Sequence, residues 1–387
     1  MKMGNLMGMP LDDPLVVAPG PWTRGIENMK EILLQEPGAV ITESIVSEAY
    51  PDVRPRYSVD RWSRGVQNIR IYSGRELENW LDDLTEINQK KRYGSKTKII
   101  ASIMGTTASE IRYIAKKVEK TGVDGIELGL ACPMGEGPRI VASDPALVFD
   151  FTKAVVDAVS LPVSVKLGAG ISDMTAVVKA AENAGASGIS AIDALRCILG
   201  IDIETGQPTL PTYGGYSGAP IRPIGLAAVA GVVQSTDLPV LGIGGITGCK
   251  SAVEYIMAGA ASYGVGTEIL LRGFGVIREL KDDLNDWMRE RGIASSEEIR
   301  GAVLSHLHAF EEIDQNEKTA VLVEACRGFA EHSARLCADG HDGLCMAGCL
   351  CHAIQLSEDG LHIDRAKCDG CGLCVSICPD GKIQLSW

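Results

Sequence analysis

Eight short apolar runs, separated by amphipathic stretches, limit what this chain can fold into more than any other feature. They are Leu15–Ala18, Ala39–Ile41, Ile99–Ala101, Ile126–Leu130, Val163–Leu167, Ile189–Ile192, Val240–Ile243 and Ala261–Val265. Each has the length of a strand buried on both faces. Between them, Leu77, Trp80, Leu81 and Leu84 fall at i, i+3, i+4 and i+7, as do Ile111, Ile114, Ala115 and Val118. That spacing predicts helices with one apolar face laid on a sheet. Thr107 and Glu110 have capping-box spacing ahead of the second helix. Eight strand–helix units within roughly 280 residues predict a parallel (β/α)8 TIM barrel, with a doubly wound open sheet as the alternative.

Two connections are too long for simple barrel turns: Ser47 to Ser73, and Leu195 to Pro220. Long loops on such a scaffold are commonly functional. The first carries Arg54, Arg56, Arg61, Arg64 and Arg70 among Tyr50, Tyr57 and Trp62, which suits a cover over a small polar ligand, a face for a partner, or a solvated surface. A net charge of −13 and a pI near 5.0 oppose nucleic-acid binding, which rests on neutralising phosphates. The N-terminal stretch lacks the apolar run of a signal peptide, and no later segment reaches membrane-spanning length. A cytoplasmic protein is the expectation. In that reducing compartment the 12 cysteines are not expected to be disulfides, and the nine between Cys326 and Cys378 point to metal.

Cys132 closes the stretch Gly125-Ile-Glu-Leu-Gly-Leu-Ala-Cys132, where a buried strand gives way to Pro133 and a Gly-rich loop. Barrels keep their chemistry at such strand ends. All six histidines lie beyond residue 300, so proton transfer in the barrel needs another residue type. A thiol, mostly protonated at neutral pH, can act as an acid toward a carbanion-like carbon; a small buried hydrophobe is the alternative reading of Cys132. The seventh and eighth strands end in Gly242-Ile-Gly-Gly-Ile-Thr-Gly248 and Gly264-Val-Gly-Thr267, where exposed backbone N–H groups favour a phosphate. Lys166 ends the fifth strand, so its ammonium is expected at the barrel mouth, beside an electron-rich partner such as a reduced flavin or in a buried salt bridge.

The tail holds the most specific motif, Cys368-x2-Cys371-x2-Cys374-x3-Cys378-Pro379, the run found in bacterial ferredoxins. Cys349…Ile354-Gln-Leu356 repeats as Cys378…Ile383-Gln-Leu385 at an offset of 29 residues. The offset places Asp339, Asp342, Cys345 and Cys349 at the first copy's ligand positions, two of them not cysteines. A small α+β ferredoxin-like domain with two clusters is therefore expected, and a zinc site is the alternative. Cys326 and Cys351 read as structural. Helical patterns at Ile299–Phe310 and Glu317–Phe329 bridge barrel and tail, giving a barrel with its last helix over 1–312, a helical linker over 313–334 and the iron–sulfur domain over 335–387.

With these residues in view, the chain resembles the dihydroorotate and dihydropyrimidine dehydrogenase family. The resemblance rests on Ala18-Pro-Gly20, Asn68 in Val-Gln-Asn-Ile, Ile-Glu-Leu-x-Leu-x-Cys132-Pro, Val-Lys166-Leu, Gly214-Gly-Tyr-Ser-Gly218 with Ile-Arg222-Pro, Gly244-Gly245 and Gly266-Thr267. It implies FMN held by Ala18, Gly20, Ser217, Gly218, Gly244, Gly245, Gly266 and Thr267, with Lys166 beside the ring system. It also implies substrate contact at Asn68, and at Glu43, Gly129 and Asp193, with Cys132 transferring the proton. A similarity to seven-iron ferredoxins implies one 4Fe–4S cluster on Cys349, Cys368, Cys371 and Cys374. It implies a second cluster on Cys337, Cys345 and Cys378, either 3Fe–4S, or 4Fe–4S with Asp342 or His341 as fourth ligand.

The chain departs from that family where amides would meet a pyrimidine. Gly129 and Ala131 replace the asparagine and serine of the Cys132 motif, Asp193-Ala194 replaces Asn-Thr, and Glu43 stands where the family has lysine. A pyrimidine substrate is therefore not expected. Glu43 and Asp193 suit a cationic or donor-rich ligand, unless Glu43 pairs with Lys166 or a loop arginine. The reading is an FMN and iron–sulfur oxidoreductase acting on a C–C or C–N bond of a small polar molecule. A true dihydropyrimidine or dihydroorotate dehydrogenase and an electron-relay subunit are the alternatives. A ferredoxin or a separate NAD(P)H-oxidising flavoprotein subunit is the expected electron partner, within a homo- or hetero-oligomer.

Overall fold

The computed structural model describes residues 4–91, 94–132, 141–313, 316, 318–324, 344–357, 360–378 and 381–386. It divides into two compact units, Met1–Leu307 and His308–Trp387.

The first unit is a closed barrel of eight parallel strands: β1 (Leu15–Val17), β2 (Ala39–Ile41), β3 (Lys98–Ile103), β4 (Gly125–Leu128), β5 (Val163–Leu167), β6 (Gly188–Ala191), β7 (Val240–Ile243) and β8 (Ser262–Val265). Each pairs with its sequence neighbours, and β8 closes on β1. All eight apolar runs are thus barrel strands. Side chains alternate between faces with period two. Leu15 and Val17 join the layer under the helices, while Val16 and Ala18 line the interior. That interior is apolar on one side and, through Ser102, Glu127, Ser164, Lys166 and Ser190, polar on the other. A hairpin of Gly4–Leu6 with Met9–Leu11 plugs the N-terminal end. Its Met7 sits so close that a Cβ on Gly125 or Gly188 would come within 3.2 Å of it.

The helices behave as their spacing predicts. Leu77–Lys91 buries Leu77, Trp80 and Leu84, and Ala108–Glu119 buries Ile111, Ile114, Ala115 and Val118. At the second of these, Thr107 Oγ1 accepts the Glu110 N–H, but the Glu110 carboxylate accepts from the backbone and hydroxyl of Thr106 and from Ser47 instead of completing the box. The two long connections meet in one antiparallel sheet over the C-terminal end of the barrel, in the order Leu195–Cys197, Gly214–Ser217, Val66–Asn68, Tyr57–Val59.

Two expectations fail around the junction. Ile299–Phe310 forms only short 3-10 turns, because the N–H groups of Gly301 and Val303 donate to Ile256 and Met257, the last carbonyls of the helix Cys249–Met257. The stretch expected as a helical linker contains a strand, Thr319–Leu322, paired with Ile383–Ser386. Its β-branched Thr319 and Val321 suit that strand, and Ala320 enters the second unit's core. That unit adds the hairpin Ile354–Ser357 with Gly360–Ile363 and helices Leu344–Ala347 and Leu373–Ile377. The 29-residue repeat is visible in it: helix and strand of the first copy recur at that offset.

Candidate active site

A cavity with about 1250 Å3 of empty space opens where the barrel strands end and the covering sheet begins. Ala18 and Gly20 reach it from β1, Glu43 from β2, Gly129 and Cys132 from β4, and Lys166 from β5. Asp193 reaches it from β6, Gly244 and Gly245 from β7, Gly266 and Thr267 from β8, and Asn68, Ser217 and Gly218 from the covering sheet. Every barrel residue assigned from sequence to cofactor, substrate or proton transfer therefore lines one pocket.

Cys132 is 6 % exposed and faces the Tyr72 hydroxyl. Lys166 points inward at the top of β5, its Nζ 3.5 Å from Asp193 Oδ1. Below it Glu127 is fully buried, one carboxylate oxygen accepting the Ser190 hydroxyl at 2.7 Å. Burial pushes the Glu127 carboxyl up, against the pull of the Lys166 ammonium and the Ser190 hydroxyl. Glu43, also pushed up by burial, is met by Arg70, Nε to Oε1 at 2.9 Å. So the loop-arginine alternative for Glu43 holds, and its carboxylate is not left open for a cationic ligand. Arg70 also reaches Asp52 at 3.1 Å, which Arg56 and Arg24 share at 3.1 and 3.3 Å. Despite some desolvation, those three guanidinium groups hold the Asp52 carboxyl below its usual range. The arginine-rich loop is thus fastened by charge to the barrel rim, and Arg64 adds a 2.6 Å bond to buried Glu268.

The glycines separate into two groups. Gly245, at φ +70°, and Gly218, at φ +95°, have left-handed backbones. A Cβ there would lie 2.7 Å from the Arg222 nitrogen or 2.5 Å from the Arg64 oxygen. Gly20 and Gly266 make room instead for Trp22, whose ring would be 2.4 and 2.6 Å from a Cβ and whose Nε1 donates to the Ala18 carbonyl at 2.7 Å. The N–H groups of Gly245, Ile246 and Thr267 donate to no acceptor among the described residues. Unspent amides on the rim and the Lys166 ammonium at the floor fit a flat phosphate-bearing group such as FMN.

Sequence reading missed Glu127, Tyr72 and Trp22. Strand alternation carried one short signal: Val66 and Asn68, two apart on one strand, both line the pocket.

In the second unit a small cavity, about 330 Å3 of empty space, is walled by Cys349, Cys368, Cys371 and Cys374, the expected ligands of the first cluster. Among the described residues no three ligating side chains converge on a point that a single ion would fill. Thiols spread around a void suit a multi-iron cluster better than zinc. The Ala320 N–H points at Cys368 Sγ and the Lys382 N–H at Cys378 Sγ, each at 3.3 Å. Cys345, expected to serve the second cluster, lies on the wall of the first cavity together with Cys351, whereas Cys378 lies off that wall. Cys326, Cys337, His341 and Asp342 lie outside the described residues.

The family model for dihydroorotate dehydrogenase matches residues 1–288, and that for a 4Fe-4S binding domain matches residues 361–383. The catalytic subunit of dihydroorotate dehydrogenase B (NAD(+)) from Pyrococcus abyssi is 35% identical over 304 residues, covering 78% of this chain and 98% of the relative. The chloroplastic dihydropyrimidine dehydrogenase (NADP(+)) of Arabidopsis thaliana is 30% identical over 343 residues, 81% of this chain and 79% of that one. A crystal structure of a DHODH from Eimeria tenella superposes with a TM-score of 0.68 at 18% identity, over 79% of this chain and 89% of that chain, and agrees in fold. No helix among the described residues is long and apolar enough to cross a membrane. The chain therefore belongs to the dihydroorotate dehydrogenase family, as an FMN-binding oxidoreductase of the CH–CH class with a 4Fe–4S domain at its C-terminal end.

Proposed function

We propose that this chain transfers two electrons to or from an activated C–C or C–N bond of a small polar molecule, with Cys132 giving or taking the proton at the neighbouring atom. FMN, when bound, supplies the hydride chemistry. The placement of Cys132 carries the reading: the thiol stands in the pocket that holds Lys166 and the glycine rim, and among the described residues no histidine lines that pocket. Asn68 and Asp193 orient the substrate, and Lys166 stands beside the cofactor. Gly244, Gly245, Gly218, Ser217, Gly266 and Thr267 form its cradle.

The substrate is proposed to be neither a pyrimidine nor dihydroorotate. Gly129 and Asp193 offer no amide, and Glu43 is occupied by Arg70. Asp193, met by the Lys166 ammonium at 3.5 Å, is half-buried on the pocket wall and presents its carboxylate to a ligand rich in N–H or O–H donors. A second reading, a true dihydroorotate dehydrogenase, draws support from relatives of that name at about one-third identity. Both are tested by following FMN absorbance anaerobically. Dihydroorotate or dihydrouracil is expected to leave the flavin oxidised, while a donor-rich compound from a screen bleaches it. Bleaching by dihydroorotate within seconds would establish the second reading.

The iron–sulfur unit is proposed to pass single electrons between FMN and an outside protein, either a ferredoxin or an NAD(P)H-oxidising flavoprotein subunit, with reduction of the substrate the favoured direction. The Pyrococcus abyssi relative is itself named as the catalytic subunit of an NAD(+) enzyme.

A further inference from the structure

Tyr72 is 5 % exposed, and its hydroxyl is buried with no hydrogen-bond partner of standard geometry among the described residues. A buried hydroxyl with only a thiol for a neighbour is weakly compensated for the water it gives up. The ring is braced edge-on by Tyr50, centroids 5.1 Å apart at 84°. The hydroxyl faces the Cys132 thiol inside the cofactor pocket. Tyr72 also walls a second cavity, about 1200 Å3 of empty space, which carries Glu48 and Glu110. It is the one described residue that lines both.

We propose that the Tyr72 hydroxyl positions Cys132 and relays its proton between the pocket and the second cavity. This rests on Cys132 being the proton-transferring group. When the thiol has given its proton to the substrate carbon, the O–H of Tyr72 donates to the thiolate. The thiolate gains that proton as the phenol oxygen takes one from a hydronium in the second cavity, leaving a thiol, an intact phenol and water. Burial, with the Cys132 thiol adding to it, holds the phenol well above its usual range, so Tyr72 stays a donor throughout. The other titratable groups acting on it are Tyr50 and Asp193, with Glu43 and Lys166 across the pocket and Glu48 and Glu110 on the far side.

The test needs no substrate. Alkylation of Cys132 by iodoacetamide is followed by mass spectrometry against pH on the FMN-loaded full chain, for wild type, Tyr72→Phe and Tyr50→Phe. Loss of the donor destabilises the thiolate, so Tyr72→Phe is expected to raise the apparent Cys132 pKa by about one unit and slow alkylation about tenfold below it, while Tyr50→Phe leaves the profile in place. A wild-type profile in Tyr72→Phe, or an equal shift in Tyr50→Phe, overturns the proposal. If Tyr72→Phe does not load FMN, 3-fluorotyrosine at position 72 replaces it. A stronger donor is then expected to lower the Cys132 pKa, and no change overturns the proposal. A Cys132→Ala chain with undiminished turnover would instead sink the catalytic reading while leaving the alkylation result standing.

Discussion

Glu43 shows how a residue can be noticed correctly and its state misjudged. A carboxylate at the pocket wall reads from sequence as a receptor for a cation, but the fold brings Arg70 to it from 27 positions along the chain. Both side chains are more than nine-tenths buried, so removing one partner leaves a stranded charge. Arg70→Met is expected to cost about 3–5 kcal/mol of stability by urea titration, and Arg70→Met with Glu43→Leu to recover much of it. Asp13, at the entrance to β1, is pushed up to about 6 by burial, against the pull of its hydrogen bond from the Leu15 N–H. The folded state therefore holds this proton more tightly than the unfolded chain, and stability falls as pH rises from about 4 through 6, by up to about 3 kcal/mol. Asp13→Asn is expected to flatten that slope in urea midpoints measured across the range; an unchanged slope would show that Asp13 is not its source.

At the scale of elements, the barrel was legible because its strands are buried on both faces and read as unbroken apolar runs. The covering sheet was not. Its strands are three or four residues long, without an unbroken apolar run, and drawn from two distant loops, so only their pairing defines them. The same limit hid Tyr72, which follows the strand Val66–Asn68 in irregular backbone and is brought to the pocket only by the fold. The steric demand for glycine at the rim gives a sharp prediction. Gly245→Ala forces a Cβ to 2.7 Å from backbone at positive φ. It is expected to yield folded protein with less than a tenth of the wild-type FMN, measured by released flavin. Full FMN occupancy would mean that the loop after β7 is no part of the cradle.

For the whole molecule, the 29-residue repeat and the ferredoxin run allowed the second unit to be read as a small α+β ferredoxin-like domain, and in the structure a helix and a strand recur at that offset. What the sequence could not supply was the partition of thiols, since spacing says which cysteines are near one another and not which face one void. Cys374→Ala is expected to lose the 4Fe–4S signal in EPR of the reduced protein while FMN is retained. Cys337→Ala is expected to remove one iron–sulfur signal and leave the other; loss of neither would strike Cys337 from the ligands.

The account stands most directly on the Cys132 thiol as the mover of the proton. With any compound that bleaches the flavin, anaerobic stopped-flow at 450 nm on wild type and Cys132→Ala at equal FMN content tests it, the wavelength being roughly the flavin absorption maximum. A rate at least about a hundredfold lower in the variant is predicted. Equal rates in the two proteins would contradict it.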